Sequence, residues 1–252
     1  PLCNAIVWMD NRAVQEAEYL KARLGDQVYA CTGIPEVTPT WPACKILWLK
    51  RNEPAIWQQV RRFLLLQDFI VYCLSGRMVT DGSISCTTML YDIQAQQWWA
   101  PAMEAVGICP SLLPEILVPG AVAGTLTAAA AAELGLPQTL NVVCGGMDQC
   151  VGAIGAGNID EGTVSETTGA ALAMQISLRQ APTDAGSIPV YVHSIPGRYL
   201  LVPVCPTAGM AYKWFKDHFI PPGTPDPYDY MNDLAEKVPP GCDGLTMLPH
   251  LM

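Results

Sequence analysis

The sequence predicts an α/β fold in which short buried strands alternate with helices. Of its 252 residues, 50% are hydrophobic and 15% are charged, so the chain has ample apolar material for a packed core. Short apolar runs of strand length alternate with stretches of helical periodicity, which is the pattern of a layered sheet. The length indicates one large domain or pieces of two, because single cores stop growing at roughly 250 to 300 residues.

Helices dominate the first third of the chain. Residues 4–9 have the composition of a short buried strand, and Asp10-Asn11 then offers a helix cap. Glycine or proline bounds each of the apolar periodic stretches that follow. The helices predicted here are residues 12–24, 43–51, 55–63 and 67–74.

Strands become frequent after residue 80, where the composition also changes. From Met78 to Leu178 there is no lysine or arginine, against nine acids. Helices are predicted over residues 128–134, 149–156 and 209–219. Strands are predicted over residues 141–144, 162–166, 170–177, 199–205 and 245–248, the second and third of these paired around the turn 167–169.

The net charge and the cysteine content indicate which binding partners and which cellular compartment suit the chain. The 14 basic and 23 acidic residues give a net charge of −9, which argues against a nucleic-acid or anionic-membrane surface. The charge-free stretch 116–132 contains proline, glycine and much alanine, so no membrane span is predicted. Ten cysteines without a CxxC pair suit reduced, mostly buried thiols in a cytoplasm. The first residues carry neither Met nor a signal peptide, which is typical of an internal piece of a longer protein.

Asp148 is the strongest candidate for chemistry. It follows a predicted buried strand and Gly145-Gly146, at the start of a helix of small residues. Open α/β sheets bind ligands at this position, and a carboxylate there can accept a proton from a hydroxyl. The alternative is that Asp148 merely caps the helix.

Other kinds of site find less support in the sequence. Gly152, Gly155 and Gly157 resemble a dinucleotide fingerprint but come a helix-length after the strand. The three histidines, His193, His218 and His250, are isolated, and no cysteine spacing matches zinc, so no metal site is predicted. The motifs GxSxG and GxxxxGK[ST] do not occur, which disfavours serine hydrolases and P-loop enzymes.

The stretch 165–170 predicts either an ordinary hairpin turn or a tight turn whose amides and hydroxyls face a phosphate. Local lysine and arginine are missing. A nucleotide bound here must therefore be held by backbone N–H groups, helix amino ends and Mg²⁺.

Short motifs in order along nearly the whole chain resemble those of the FGGY carbohydrate kinases. They include Trp8-Met9-Asp10-Asn11-Arg12, Gln67 to Gly76, Thr80-Asp81-Gly82-Ser83, Gly145-Gly146-Met147-Asp148-Gln149, Thr167-Thr168-Gly169, Gly209 to Trp214 and Gly241 to Pro249. The resemblance implies an actin-like ATPase (ribonuclease H-like) fold, with an incomplete first domain over residues 1–160 and the start of a second over 161–252. It also implies a cytoplasmic kinase of sugars or polyols that uses ATP and Mg²⁺.

The resemblance assigns roles to individual residues. Asp148 takes the position of the catalytic base, with Gln149 beside it as a substrate contact. Trp8, Asp10 and Arg12 belong to a substrate-side motif, in which a structural role for the two charged residues is equally open. On the nucleotide side the family pattern points to these residues: Thr167, Thr168, Gly169, Gly209 and Lys213.

The family usually has Gly-Thr-Ser or Gly-Thr-Gly where this chain has Thr167-Thr168-Gly169. This departure keeps an alternative open, a non-catalytic protein of this type that binds a sugar or nucleotide and regulates a partner. The family's amino-terminal Asp-Gly-Thr phosphate loop and carboxyl-terminal adenine segment are missing from the sequence, which predicts an internal piece of a longer kinase. Unpaired sheet edges predict a homodimer or aggregation.

Overall fold

The computed structural model describes residues 1–182, 186–205 and 207–248. The chain divides into two compact units. The larger comprises Pro1–Thr163 and Gln175–Val202, and the smaller comprises Val164–Met174 and Pro203–Met252. Within the described ranges, the helices are too short or too polar to cross a membrane.

Helices and strands alternate along the chain, which confirms the predicted α/β class. The helices are α1 Val14–Leu24, α2 Gln27–Thr32, α3 Pro42–Asn52, α4 Pro54–Trp57, α5 Leu66–Ser75, α6 Gly82–Ser85, α7 Ala100–Val106, α8 Ala128–Leu134, α9 Asp148–Gly155, α10 Ala208–Phe219 and α11 Pro227–Ala235. The strands are β1 Val79–Asp81, β2 Tyr91–Asp92, β3 Gln97–Trp98, β4 Glu115–Leu117, β5 Val122–Thr125, β6 Asn141–Val143, β7 Val164–Thr168, β8 Leu172–Leu178, β9 Val190–Val192, β10 Tyr199–Leu201 and β11 Val204–Cys205.

Short strand pairs build the larger unit. β1 runs parallel to β4, with Val79 opposite Glu115. β5 and β6 are antiparallel, as are β2 and β3. The second half of β8 pairs antiparallel with β10, and β10 pairs with β9. The parallel β1 and β4 need a crossover between them, and the intervening chain supplies it with α6 and α7.

The smaller unit is built on a hairpin and two helices. β7 pairs with β8, and the first half of β8 pairs with β11, with Val204 opposite Ala173. α10 follows directly and contacts α11.

Helix packing forms the main core of the larger unit. α1, α3 and α7 contact one another around buried residues that include Leu20, Leu47 and Met103. A second cluster joins α9 to the strand β10, since Cys150 and Ala153 pack with Leu200. Full burial of a side chain of this kind stabilises the fold by about 1.5–3 kcal/mol. The packing of α9 on β10 sets the face that the helix turns towards solvent.

Four of the predicted elements are wrong, too long or divided. The strand predicted over residues 199–205 is two strands, β10 and β11, which pair with different halves of β8. Residues 4–9 form no strand, and Val7, Trp8 and Met9 are exposed. Residues 245–248 also form no strand, and Leu245 and Leu248 are exposed. In both stretches the apolar composition is that of a buried strand, but neither has a strand partner among the described residues. Pro249 lies outside those residues.

The third predicted helix ends early, at Trp57 rather than Phe63. Its physical reason is a tertiary contact, because the Phe63 N–H donates to the carbonyl of Leu112 at 2.8 Å instead of continuing the helix. The hairpin strands also begin two residues later than predicted, at Val164 and Leu172.

The ten cysteines are free thiols, but only four are buried, so the expectation of mostly buried thiols is wrong. The buried ones are Cys44, Cys86, Cys144 and Cys150. Burial raises the pKa of Cys44, Cys144 and Cys150 to about 12, which makes these three poor nucleophiles.

Gly33→Ala is expected to destabilise the larger unit far more than Gly135→Ala. Both glycines end a helix in the left-handed conformation, with φ of 70° and 66°. A Cβ at Gly33 collides with the carbonyl oxygen of Val190, whereas a Cβ at Gly135 meets nothing within 4 Å. Strain and collision together should cost about 2–5 kcal/mol at Gly33, against about 1 kcal/mol at Gly135. Urea denaturation of both variants measures the difference, and equal losses would contradict the Val190 contact.

Candidate active site

Asp148 occupies the first position of α9, and its side chain is exposed. The N-cap residue is Met147, which offers no side-chain cap and instead buries its side chain with Cys150. The Asp148 carboxylate accepts the N–H of Gln149 at 2.7 Å. This bond engages one amide of the first turn, although Asp148 lies one position after the N-cap, and it leaves the other carboxylate oxygen open to solvent.

Met147 is tied to a buried serine. The Met147 N–H donates to Ser83 Oγ at 2.9 Å, and the Met147 carbonyl accepts the N–H of Val151 at 2.9 Å. Both sides of the residue before Asp148 are therefore held by hydrogen bonds.

Asp81 anchors this serine. Its buried carboxylate accepts the hydroxyl of Ser83 and, at 2.8 Å, the N–H of the same residue. It also accepts Gln67 Nε2 at 2.7 Å and the N–H of Ile84 at 3.3 Å. Four donors thus satisfy a carboxylate with no exposed surface, which a buried charge-bearing group requires.

The two glycines before Met147 lie against the same network. A Cβ on Gly146 would overlap the hydroxyl of Ser194, and a Cβ on Gly145 would lie 3.7 Å from the amide of Gln67. Ser194 in turn donates to Ser83 Oγ at 3.2 Å. Glycine at position 146 is therefore required by a close approach.

Gln149 is fixed by a neighbour that the sequence analysis did not single out. Gln175 is buried, and its Nε2 donates to Gln149 Oε1 at 2.6 Å. The side-chain oxygen Oε1 of Gln149 is engaged in this bond, so the side-chain nitrogen Nε2 of Gln149 is the group available to a ligand.

The segment with Trp8, Asp10 and Arg12 is anchored in a different way. Arg12 Nε and Nη2 donate to Asp10 at 2.9 and 2.7 Å, and the guanidinium lies 4.9 Å from the centre of the Trp48 ring. The hydrogen bonds from Arg12 hold the pKa of Asp10 at about 2. Lys45, a buried lysine, donates to the carbonyls of Val7 and Trp8 at 2.6 and 3.0 Å. Burial lowers the pKa of this lysine.

A cavity of about 280 Å³ lies beside this segment. Arg12, Trp48 and Glu53 are among its lining residues, whereas Trp8, Asp10 and Asp148 are not. Hydrogen bonds and ion pairs among the described residues do not join the Trp8 segment to Asp148. The candidate substrate residues therefore form two groups, one at α9 and one before α1.

In the smaller unit two of the candidate nucleotide residues, Gly169 and Gly209, meet at the start of α10. Gly209 has no room for a Cβ because the carbonyl oxygen of Gly169 touches it, and the Met210 N–H donates to the Ala170 carbonyl at 3.1 Å. Thr167 and Thr168 end β7, are exposed, and lie next to this contact in sequence. The hydroxyl of Thr168 donates to the carboxylate of Glu166. Lys213 is exposed on α10 and pairs with Asp217.

The histidines are separate from these residues. His193 is buried, with its ring near the carbonyl of Asn158 at 3.4 Å, and burial lowers its pKa. His218 lies on α10 with Nδ1 2.8 Å from the carbonyl of Trp214. His250 lies outside the described residues.

Sequence reasoning missed Ser194, Lys45 and Gln175 as supports of the candidate residues. Ser194 and Gln175 lie far along the chain from α9, and Lys45 lies within a predicted helix. Their roles depend on contacts across 26 to 111 residues, for which a single sequence holds no signal. Ser83 belongs to the quoted motif Thr80-Asp81-Gly82-Ser83, but its bond to Met147 was not foreseen.

Comparison with known proteins agrees with this architecture. Residues 1–155 match the sequence model of the N-terminal domain of the FGGY family of carbohydrate kinases. The chain is 29% identical to a xylulose kinase of Lactococcus lactis and 26% identical to a gluconokinase of Bacillus subtilis, with all of this chain covered. The crystal structure of xylulose kinase from Rhodospirillum rubrum superposes with a TM-score of 0.88 and 29% identity over 96% of this chain and 49% of that one.

The chain belongs to the FGGY family of carbohydrate kinases. The predicted actin-like ATPase fold is confirmed by the solved kinases that it matches. The chain spans about half the length of the curated relatives it matches, 50% of both the xylulose kinase and the gluconokinase. The domain boundary at residue 160 stays a prediction, as do the roles of the individual site residues.

Asp68, a buried carboxyl near Asp81, is expected to make stability depend on pH. Burial raises its pKa to about 6, although the Leu65 N–H donates to it at 2.9 Å and Thr80 also bonds to it. A raised pKa means that the folded protein binds this proton more tightly than the unfolded chain. The resulting stability is present below about pH 3.8 and is lost as the pH rises through 6.

Asp68→Asn removes this titration. Between pH 4 and pH 8 the free energy of unfolding of the wild type, relative to the variant, should fall by up to about 3 kcal/mol. Urea denaturation of both proteins across this range measures it. A difference that is independent of pH would contradict the raised pKa of Asp68.

Proposed function

We propose that this protein phosphorylates a sugar hydroxyl with ATP, and that Asp148 is the general base. The observation that supports the proposal is the arrangement at α9. An exposed carboxylate at the first turn follows two glycines, and a buried hydrogen-bond network holds the residue before it. A carboxylate that is open to solvent but fixed at its backbone can meet an alcohol in one orientation.

Each candidate residue near the proposed sugar site has its own proposed role in the reaction. Asp148 accepts the proton of the attacking hydroxyl, which is worth about 10² to 10⁴ in rate. Gln149 donates from its Nε2 to a sugar oxygen, since Gln175 engages its Oε1. Trp8 offers an exposed ring to the sugar. Asp10 and Arg12 bind each other, so their proposed part is to hold the Trp8 segment in place.

The start of α10 is the proposed phosphate site. The bare backbone of Gly169 and Gly209 lies in direct contact there, at the amino end of a 12-residue helix. Thr168 and Lys213 are paired with Glu166 and Asp217 on the surface. Exposed pairs of this kind are worth about 0–1 kcal/mol, so exchanging them for a phosphate costs little. The residues present fit a nucleotide.

ATP supplies the transferred phosphoryl group, and Mg²⁺ offsets its charge. Among the described residues, His, Cys, Asp and Glu side chains form no cluster of three that could hold a metal ion. The proposed Mg²⁺ would enter with the nucleotide, whose phosphate oxygens are ligands that this ion prefers.

The choice of the proposed substrate rests on the names of the relatives. A ketose such as xylulose is the first choice, and a related polyol or sugar acid is the next, since the matched proteins are named for xylulose and gluconate. A cytoplasmic location and a homodimer are further proposals. The free thiols support the first of these.

The carboxylate of Glu166 favours a second candidate function. It accepts the hydroxyl of Thr168 at the proposed phosphate site and places negative charge there. A protein that binds a sugar without transferring phosphate would tolerate this charge. Calorimetry with ATP and Mg²⁺, and separately with xylulose, distinguishes the two: sugar binding without nucleotide binding would favour the regulator.

Asp148→Asn, made in the chain together with the flanking sequence that its gene encodes, should lower kcat by about 10² to 10⁴ while ATP binding is retained. The amide keeps the shape of the side chain but cannot take the proton. Coupled ADP release measures turnover, and calorimetry measures binding. Asp160→Asn, which alters another exposed carboxylate of the larger unit, is the control and should leave kcat unchanged. Near-normal activity of Asp148→Asn would remove the base assignment.

The 252-residue chain by itself should show no phosphorylation above background. It covers about half of the relatives that it matches, and the proposed reaction needs the rest. The assay is ADP release with ATP, Mg²⁺ and a panel of ketoses, with a whole xylulose kinase as the positive control. Turnover by the chain alone would show that its own residues suffice.

A further inference from the structure

The hydroxyl of Ser83 is a buried polar group that the proposed mechanism does not use. Ser83 has no exposed surface. Its Oγ donates to Asp81, accepts the Met147 N–H at 2.9 Å and accepts the Ser194 hydroxyl at 3.2 Å. A hydroxyl has one proton and two lone pairs, so all of its hydrogen-bonding capacity is engaged.

Asp81 determines the direction of this hydroxyl. Because the Asp81 carboxylate takes the Ser83 proton, the two lone pairs of Ser83 are left for donors. One of these donors is the backbone of Met147, 64 residues along the chain and directly before Asp148. Without Asp81 the serine proton could point at the Met147 N–H and repel it.

The residue before Met147 lies against the same network. Gly146 lies so close to Ser194 that a Cβ would collide with its hydroxyl, and Ser194 donates to Ser83. Two consecutive residues, 146 and 147, therefore contact one buried network. The carboxylate of Asp148 begins immediately after them.

We propose that Ser83, oriented by Asp81, is a positioning residue for Asp148. The inference rests on the proposed function, because it assigns the support of the proposed base. Ser83 acts through the Met147 N–H, which sets the backbone of the first turn of α9. Loss of the hydroxyl leaves that N–H without its partner in a buried place and lets the carboxylate move relative to the substrate.

The first test is kinetic and uses a matched serine. Ser83→Ala, in the chain together with its natural flanking sequence, should lower kcat by about 10- to 100-fold and change KM for ATP less than about twofold. Ser85→Ala is the control. Ser85 lies on α6, is equally buried, and pairs with the hydroxyl of Thr80 instead of with α9. It should change kcat less than about threefold. Equal losses in the two variants would overturn the proposal.

The second test needs no activity and uses the 252-residue chain. Amide hydrogen exchange should become at least about tenfold faster at Met147 in Ser83→Ala than in the wild type. The Asn158 amide, bonded to the Ala153 carbonyl at the other end of α9, should change little. Unchanged exchange at Met147 would overturn the proposal even if the kinase activity is real. If the wild type lacks kinase activity, the proposed function fails while this result still decides whether Ser83 holds Met147.

A further variant tests the proposal if Ser83→Ala does not fold. Gly146→Ala adds a Cβ that collides with Ser194, and this collision should displace the backbone next to Met147. It should also lower kcat more than tenfold with KM for ATP nearly constant. Wild-type kcat in a folded Gly146→Ala protein would show that Asp148 does not depend on this segment, and would overturn the proposal.

Discussion

The hydrogen bond from the Met147 N–H to Ser83 joins the two parts of the larger unit on which the candidate site depends. Ser83 follows β1 in the four-residue helix α6, and Met147 is the N-cap residue of α9. Such a short helix has almost no intrinsic stability, so its place depends on Asp81, whose carboxylate caps it. The same carboxylate that forms α6 therefore also fixes the hydroxyl that holds α9.

In this arrangement a buried hydrogen-bond network lies directly before an exposed carboxylate, that of Asp148. Asp81 and Ser83 lie fully inside, where a hydrogen bond is strong and an unpaired polar group is costly. Asp148 directly follows Met147, whose N–H bonds to this network, and its side chain is exposed. The carboxylate is open to solvent, while the residue before it is hydrogen-bonded to the core. Gly146 allows this close approach because a side chain there would collide with Ser194.

Charge is distributed differently in the two groups of proposed ligand-binding residues. Near α9 the hydrogen bonds join the buried Asp81 carboxylate to hydroxyls and amides, and Asp148 adds an exposed carboxylate. At α10 the chain places Lys213, but Asp217 and Glu166 occupy the polar groups that could face a phosphate. These pairs are exposed and therefore weak, so the site can exchange partners. Arg12 and Lys45 serve the fold, since they bind Asp10 and the carbonyls of Val7 and Trp8.

Local sequence predicted the elements whose signals are local. Helix α8 spans Ala128–Leu134 as predicted, because the Thr127 cap and the left-handed Gly135 that bound it act within a few residues. α3, α5 and α9 were placed to within two residues for the same reason. The strand assigned to residues 4–9 was wrong, because an apolar run becomes a strand only where a neighbouring strand accepts its hydrogen bonds. Lys45 takes two of those carbonyls instead.

The sequence by itself determined the α/β class, the family and the position of Asp148 after a strand and two glycines. Those features depend on residue order, spacing and composition, which are properties of the sequence itself. Only the tertiary structure decided which side chains bond to the residues around Asp148. Ser83 bonds to Met147, Gln175 bonds to Gln149 and Ser194 bonds to Ser83, across 26 to 111 residues. Such contacts depend on how separate elements pack, and no local propensity encodes them.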